Sequence, residues 1–421
     1  MTRPRSSSSA FTLIELLVVI AIIAILATVV ILALNPAELL RQSRDANRLS
    51  DLDTLNHALG LYATDVGTGS GTLGNANTVY VSIPDPTAST TAGSNCSSIN
   101  LPTLPATYTY HCAGPNYYRG TNGNGWIPVN FSIMSTGSPF GQLPVDSINS
   151  SSSRNYYTYT TDGSRYEITA AMESQKYKLG GTNDAISSDG GPLASVYEVG
   201  SVLGLEPLDY GDSSLVGLWT LDEGTGSTAY DMSGNGNTGT WNGTPVGTSG
   251  YYSSGKVGPW AGTFINNYID TGNNSSSMPK SAGTFSAWVY PTSTYGVFMS
   301  NGSVQSDVLG VNLYIGAGKP IFEVCNSSAR NSIIGSSGLS LNTWYYLTGT
   351  WDGTTVSLYV NGVLIASSTE TITPTPAYDL TLGEDGTHWS SYHLNGLLDD
   401  ARVYNRSLSA AEVSALYRAV K

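Results

Sequence analysis

The chain has 421 residues, too many for one typical domain, so two or three are expected. Only 12% of them are charged, and 47 Gly, 27 Tyr and long Ser/Thr/Asn stretches give the texture of extracytoplasmic β-rich modules rather than of a cytosolic enzyme. The formal net charge of -13 repels a phosphate backbone, and no basic patch stands out, so no nucleic-acid partner is expected.

Residues 11–34 form an apolar run of 24 residues, long enough at about 1.5 Å each to cross a hydrocarbon core of about 30 Å. Arg3 and Arg5 precede it with no acidic residue, so residues 1–10 should stay cytoplasmic and everything after about residue 36 should lie outside. Glu15 is the anomaly, because an unpaired carboxylate in hydrocarbon costs several kcal/mol. With Ser6-Ser-Ser-Ser-Ala10, Phe11 and Glu15 in this order, the segment resembles the class III signal and first helix of type IV pilins and pseudopilins. The resemblance implies a leader at 1–10, cleavage by prepilin peptidase between Ala10 and Phe11, methylation of the Phe11 amine, and a role for Glu15 in filament assembly, facing the Phe11 amine of a neighbouring subunit. The family usually has Gly where this chain has Ala10. A secretory signal peptide would have a shorter apolar region, cut after it rather than before. The other readings are a simple membrane anchor, or a Glu15 that stays protonated in the bilayer.

Asn35-Pro36 interrupts the run, and a kink or local melting is expected there. Leu49, Leu52, Leu55, Leu59 and Tyr62 then recur at spacings of three and four, so the helix should extend to about residue 65 with one face on a globular head. Arg41, Arg44 and Arg48 lie along one side, with Glu38, Asp45, Asp51 and Asp53 nearby; this reads as a solvated face or as contact with neighbouring subunits or lipid headgroups.

Residues 66–180 are read as a pilin-like head: a small antiparallel sheet with long loops, with strand-like runs at 125–131, 143–146, 156–159 and 166–172. Cys96 and Cys112 are close enough in sequence to form a disulfide in an oxidising compartment, worth about 3 kcal/mol in the chain-entropy model. Asp146 either helps to hold calcium, as in some major pseudopilins, or forms a turn. Residues 181–212 show little periodicity and are expected to be a linker.

Residues 213–421 differ in texture. Seven of the eight tryptophans fall there, and Asp352-Gly353 and Asn361-Gly362 stand between alternating strand-like runs as hairpin signals. An all-β antiparallel sandwich is expected. Leu218-Trp-Thr-Leu-Asp-Glu-Gly, Asp231-Met-Ser-Gly-Asn-Gly-Asn237, Phe285-Ser-Ala-Trp-Val289 and Gly396-Leu-Leu-Asp-Asp-Ala-Arg-Val-Tyr resemble the laminin-G-like, concanavalin A-like (jelly roll) superfamily of bacterial surface proteins. That resemblance implies that the first strand pairs with the last, bringing Leu215 near Tyr404, so that the module rides as a bead on the pilin. It also implies a structural calcium near the Asp231 loop, with Asp399 or Asp400 opposite. Asp231, Asn235 and Asn237 can offer oxygens from a Gly-punctuated loop, or can simply form Asx-turns. Ser409-Ala-Ala-Glu412 is a capping box opening a terminal helix. Cys325, in a strand-like run, reads as a buried free thiol.

The chain lacks the Glu-x-Asp-x-x-Glu strand of laminarinase-type relatives, a His-Glu-x-x-His motif and a Gly-x-Ser-x-Gly elbow, so no enzyme is expected. His388, Trp389, Tyr392 and His393 form a loop that offers either ligand contact, with sugar as the natural partner of an aromatic platform, or ordinary packing. The expected fold is α+β pilin-like, then all-β. The expected function is a subunit of a type IV pilus or related filament that displays the sandwich for surface or carbohydrate adhesion. The alternative is a pseudopilin of a type II secretion or DNA-uptake machine with the sandwich as a spacer; a membrane-tethered hydrolase is a distant third. Expected partners are other pilin subunits, prepilin peptidase, the inner membrane before assembly, and a carbohydrate or surface glycoprotein. The expected location is single-pass in the inner membrane, C-terminus outside, and then on an extracellular filament.

Overall fold

The computed structural model describes residues 12–67, 73–272, 278–304, 309–369, 371–387 and 392–420, with only the backbone for 29–34. Helix α1 (Leu13–Leu34) opens with a capping box between Thr12 and Glu15. It ends at Asn35, whose left-handed conformation (φ 39°, ψ 72°) breaks the chain into a second helix, α2 (Pro36–Asp65). Asn tolerates that conformation, and Pro36 sits in the first turn of α2, where a missing N–H is not needed. The expected kink is thus one residue wide. Leu52, Leu55, Leu59 and Tyr62 of α2 are buried, as their spacing requires.

The head sheet comprises β1 (Thr78–Val81), β2 (Thr109–Cys112), β3 (Tyr157–Thr161), β4 (Tyr166–Ala171) and β5 (Val196–Gly200), in the order β2-β1-β3-β4-β5. β1 and β2 run parallel, so the sheet is mixed rather than wholly antiparallel. Its core joins Leu52, Leu55 and Leu59 of α2 to Trp126, Phe131 and Ile168. A second core of Val79, Val81, Tyr156 and Val196 lies beside the Cys96–Cys112 disulfide, whose Cα atoms are 5.3 Å apart. Residues 125–131 and 143–146 are not strands; they supply buried side chains such as Trp126 and Leu143 from irregular backbone.

The expected linker is the main departure. Residues 181–212 contain β5, and Ile186, Leu193, Leu208 and Asp209 within it are buried. Tyr210 stacks on Tyr156 of the head with ring centroids 4.9 Å apart. The Asp residues that make this stretch look loop-like order it: Asp184 Oδ1 accepts from the Ile186 and Ser187 amides, and Asp189 Oδ1 from Gly191.

Sixteen further strands follow among the described residues. One sheet contains β6 (Leu215–Trp219), β9 (Tyr252–Ser254), β10 (Trp260–Ile265), β12 (Gly283–Pro291), β17 (Tyr345–Trp351), β18 (Thr355–Val360), β19 (Val363–Thr369) and β21 (Asn395–Tyr404). The facing sheet contains β7 (Thr228–Ala229), β8 (Gly239–Asn242), β11 (Tyr268–Asp270), β13 (Gly296–Ser300), β14 (Gly310–Gly316), β15 (Lys319–Asn326), β16 (Ala329–Ile334) and β20 (Thr381–Leu382). Trp219, Trp241, Phe264, Phe298, Phe322 and Trp351 fill the space between them. β21 is central, paired with β12, β10 and β6, and its Tyr404 lies opposite Leu215. Asn361 and Gly362 both take positive φ between β18 and β19, as a type I′ turn demands. Asp352 instead holds the β17–β18 turn by accepting from the Thr354 and Thr355 amides. Cys325 on β15 is buried and free, and burial pushes its thiol up to about 12.

The terminal helix α3 (Ala410–Ala419) opens with the Ser409–Glu412 capping box. Val413 and Leu416 of α3, with Trp288 and Tyr346 of the sandwich, join the core that contains α2 and the head sheet. The sandwich is therefore welded to the head rather than carried as a bead. The weld includes Asp209 N–H to Met232 O (2.9 Å) and Thr103 N–H to Gly234 O (3.0 Å).

Candidate functional site

Ala10 and Phe11 lie outside the described residues. Glu15 is exposed, and its Oε2 accepts from both the Thr12 amide and the Thr12 hydroxyl at 2.8 Å. The carboxylate that seemed unpaired in the sequence thus has a partner within its own helix terminus, where the helix dipole also favours it. Beyond it, residues 13–28 turn every side chain outward, with Leu13 and Ile14 each more than 70% exposed. Among the described residues no helix is long and apolar enough to cross a membrane, the side chains of 29–34 lying outside that set.

The α2 arginines divide: Arg41 is exposed, Arg44 is half-buried against Glu173, and only Arg48 is fully inside. Arg48 is 1% exposed and pairs with Asp45 (2.7 Å), Asp146 and Glu173 (3.1 Å). Asp45 also accepts from the Glu173 and Ser174 amides, so acids of α2 cap the chain leaving β4. Asp146 is committed to Arg48 and to the Ile148 amide, the turn role rather than the calcium role.

The expected calcium ligands do not form one site. Both Asp231 oxygens are taken by backbone amides, Oδ1 by Leu218 and Ser233 and Oδ2 by Asn237. Asn235 and Asn237 turn their amide nitrogens to the carbonyls of Leu215 and Val216, closing the loop as Asx-turns and side-chain ties. Asp400 binds the Arg402 guanidinium through both oxygens at 3.0 Å. Asp399 faces the other way, its Oδ2 accepting from the Lys256 and Val257 amides at 2.7 and 2.9 Å. Burial pushes Asp399 up to about 9 against those two amides, with Asp400 and Asp222 adding to the rise. No group of three or more His, Cys, Asp or Glu gathers to hold a metal among the described residues.

In the 388–393 loop, His388 and Trp389 fall outside the described residues. Tyr392 is half-buried, and His393 is turned inward, its Nε2 3.5 Å from a buried Glu384 oxygen. The two described members pack rather than present an open platform.

What the structure does gather is a cleft of about 830 Å³ at the seam between head and sandwich. Glu206 and Tyr108 line it from the head, Thr220, Asp222, Glu223, Tyr230 and Lys256 from the sandwich, and Val420 from the end of α3. One end is pinned by Arg402, buried between Asp209 (2.6 Å) and Asp400. Burial pushes Asp222 up to about 7, opposed by the Trp260 amide and reinforced by Asp400 and Glu223. Glu206 is pushed up to about 8 by burial, against the Thr158 and Thr160 hydroxyls, and Glu223 is raised by burial as well. Sequence reading passed over this set. Asp222, Glu223 and Arg402 stood within motifs that marked the family, and Glu206 lay in the supposed linker.

Residues 262–414 match the family model described as the concanavalin A-like lectin/glucanases superfamily, and residues 5–31 match the prokaryotic N-terminal methylation motif. The chain couples an N-terminal methylation motif to a concanavalin A-like domain. No curated protein matches it. Among solved structures, the sandwich is similar to domain 4 of AbnA, a GH43 extracellular arabinanase from Geobacillus stearothermophilus solved with arabinotriose, at 22% identity over 48% of this chain and 98% of that one, with a TM-score of 0.38. The ligand-binding domain of botulinum neurotoxin serotype D, solved with N-acetylneuraminic acid, is similar at 13% identity over 48% of this chain and 50% of that one (TM-score 0.36). A heptameric SAP-like pentraxin from Limulus polyphemus is 19% identical over 32% of this chain and 70% of that one (TM-score 0.27). The chain thus spans nearly all of the arabinanase domain but half of the neurotoxin domain. In the concanavalin A-like domain the matched residues begin within β10 and include β21, whose Asp400 and Arg402 line the cleft, while Thr220, Asp222, Glu223, Tyr230 and Lys256 precede them.

Proposed function

We propose that the chain is a pilin-like filament subunit that carries a concanavalin A-like domain outward to bind carbohydrate or a cell surface. The observation that carries this reading is α1: an apolar helix whose described side chains, 13–28, are exposed, headed by Glu15, in front of a body that buries its own apolar surface. Such a helix needs another apolar environment, and its 22 residues span about 33 Å at about 1.5 Å each. A single pass through the inner membrane before assembly, and the helical core of a filament after it, both meet that need. Pilin neighbours and a prepilin peptidase follow as partners.

The test is Glu15→Ala in cells. The variant is expected to remain in the membrane fraction and to vanish from sheared surface filaments; normal incorporation would show that Glu15 does not serve assembly. Glycan-array binding by the whole chain in detergent then separates an adhesin from a spacer. A fragment starting at residue 213 is unsuitable, because it would bare the core shared with the head.

A further inference from the structure

The seam cleft has an electrostatic imbalance that the fold leaves unanswered. Glu206 is 4% exposed, and its Oε1 has no hydrogen-bond partner among the described residues; the same is true of Glu223 Oε2 and Thr220 Oγ1. A buried acceptor left unmade costs about 1–3 kcal/mol, so three in one cleft are a substantial unmet demand for donors. The charges that act on these acids are themselves acidic: Asp400 and Glu223 on Asp222, and Glu167 on Glu206.

Neither cation that lines the cleft is available to them. Arg402 is consumed by Asp400 and Asp209, and Lys256 holds its ammonium 4.8 Å from the centre of the Trp288 ring. Pro105, Tyr108, Pro207, Tyr230 and Val420 add apolar surface to the remaining wall. Acidic side chains on one side and apolar residues on the other are complementary to a donor-rich cation on a hydrocarbon stem.

We propose that this cleft binds an organic cation, a primary amine or guanidinium on an apolar stem, with its nitrogen donors directed to Asp222, Glu223 and Glu206. The proposal stands whether or not the chain enters a filament. A free amine and the side chain of a basic peptide share this chemistry and are separated by their size in the test. Because burial raises Asp222 to about 7 and Glu206 to about 8, the cleft gains negative charge and binding strengthens as the pH rises from 6 to 8.5, while the amine stays charged.

The experiment is isothermal titration calorimetry on the full chain in detergent, using agmatine and butylamine, an Ala-Arg-Ala peptide, and butanol and maltotriose as uncharged probes. Saturable binding of agmatine or the peptide, at least tenfold tighter than butanol and at least tenfold weaker in Asp222→Asn/Glu223→Gln, supports the proposal. Should the double variant fold poorly, Glu223→Gln alone is compared, with an agmatine-dependent rise in Tm at pH 8.5 in the unaltered chain as the second readout. Equal binding of butylamine and butanol, binding of maltotriose alone, no binding of any probe, or an affinity indifferent to the substitutions would each overturn it.

Discussion

The seam between α2 and the head and the seam between head and sandwich are closed by the same device. In each, one fully buried arginine gathers carboxylates from distant parts of the chain: Arg48 takes Asp45, Asp146 and Glu173, and Arg402 takes Asp209 and Asp400. They differ in what surrounds them. The Arg48 seam leaves no buried side-chain acceptor of its own unmet among the described residues, whereas the Arg402 seam opens into a cleft with three. One seam is complete in itself, and the other is strong at one end and electrostatically unfinished along its length. Among the described residues the Asn35 joint between α1 and α2 has no such clamp.

Arg48→Ala should break the stronger seam with the largest effect, about 3–5 kcal/mol, because it strands three buried or half-buried carboxylates. Chemical denaturation in detergent measures it, and a loss below 1 kcal/mol would show that Arg48 is not the clamp. Arg402→Met should cost somewhat less, about 3 kcal/mol, since Asp209 keeps the Ala194 and Ser195 amides. Its distinctive readout is limited proteolysis: cleavage within 201–212 should accelerate, whereas a true linker there would be cut equally fast in both proteins. The smallest effect is that of pH. Asp189 and Asp222 at about 7, Glu206 at about 8 and Asp399 at about 9 hold protons in the folded state that the unfolded chain releases near pH 4. The folded state therefore binds more protons between about pH 4 and 9, and stability falls as pH rises through that window. Acids held low, such as Asp85 and Asp212, act only below it. Tm should drop by about 2 °C or more from pH 5 to pH 8, and Asp399→Asn should flatten the slope.

The two seams were unequally legible in the sequence. The α2 stripe of Leu52, Leu55, Leu59 and Tyr62 announced itself by period, and the β21 register by the Gly396–Tyr404 motif. Arg48 was visible as a charge, but a helical charge row reads the same whether it faces water or carboxylates 98 residues away. β5 was hidden because Asp184 and Asp189 spend their side chains on turns, and such turns look like loop composition. The Asp231 loop was ambiguous for a related reason: Asp231, Asn235 and Asn237 have the composition of a cation loop, but Asp231 accepts from backbone amides and the two Asn side chains donate to backbone carbonyls, which the same letters also encode. Asp222 and Glu223 could be flagged only once Glu206 was placed opposite them, and no local pattern encodes that meeting.

The centre of the larger sheet is β21, almost the last segment of the chain, and Arg402 on it reaches a partner 193 residues earlier. A chain emerging N-terminus first must wait for that strand before β12, β10 and β6 have a common neighbour. Until then the sandwich has open edges, the seam has an unneutralised Asp209, and long-range closure makes the wait a slow one. The vulnerable moment in this protein's life is therefore the interval before β21 arrives, when a half-built sheet is exposed to proteases and to like chains alongside it.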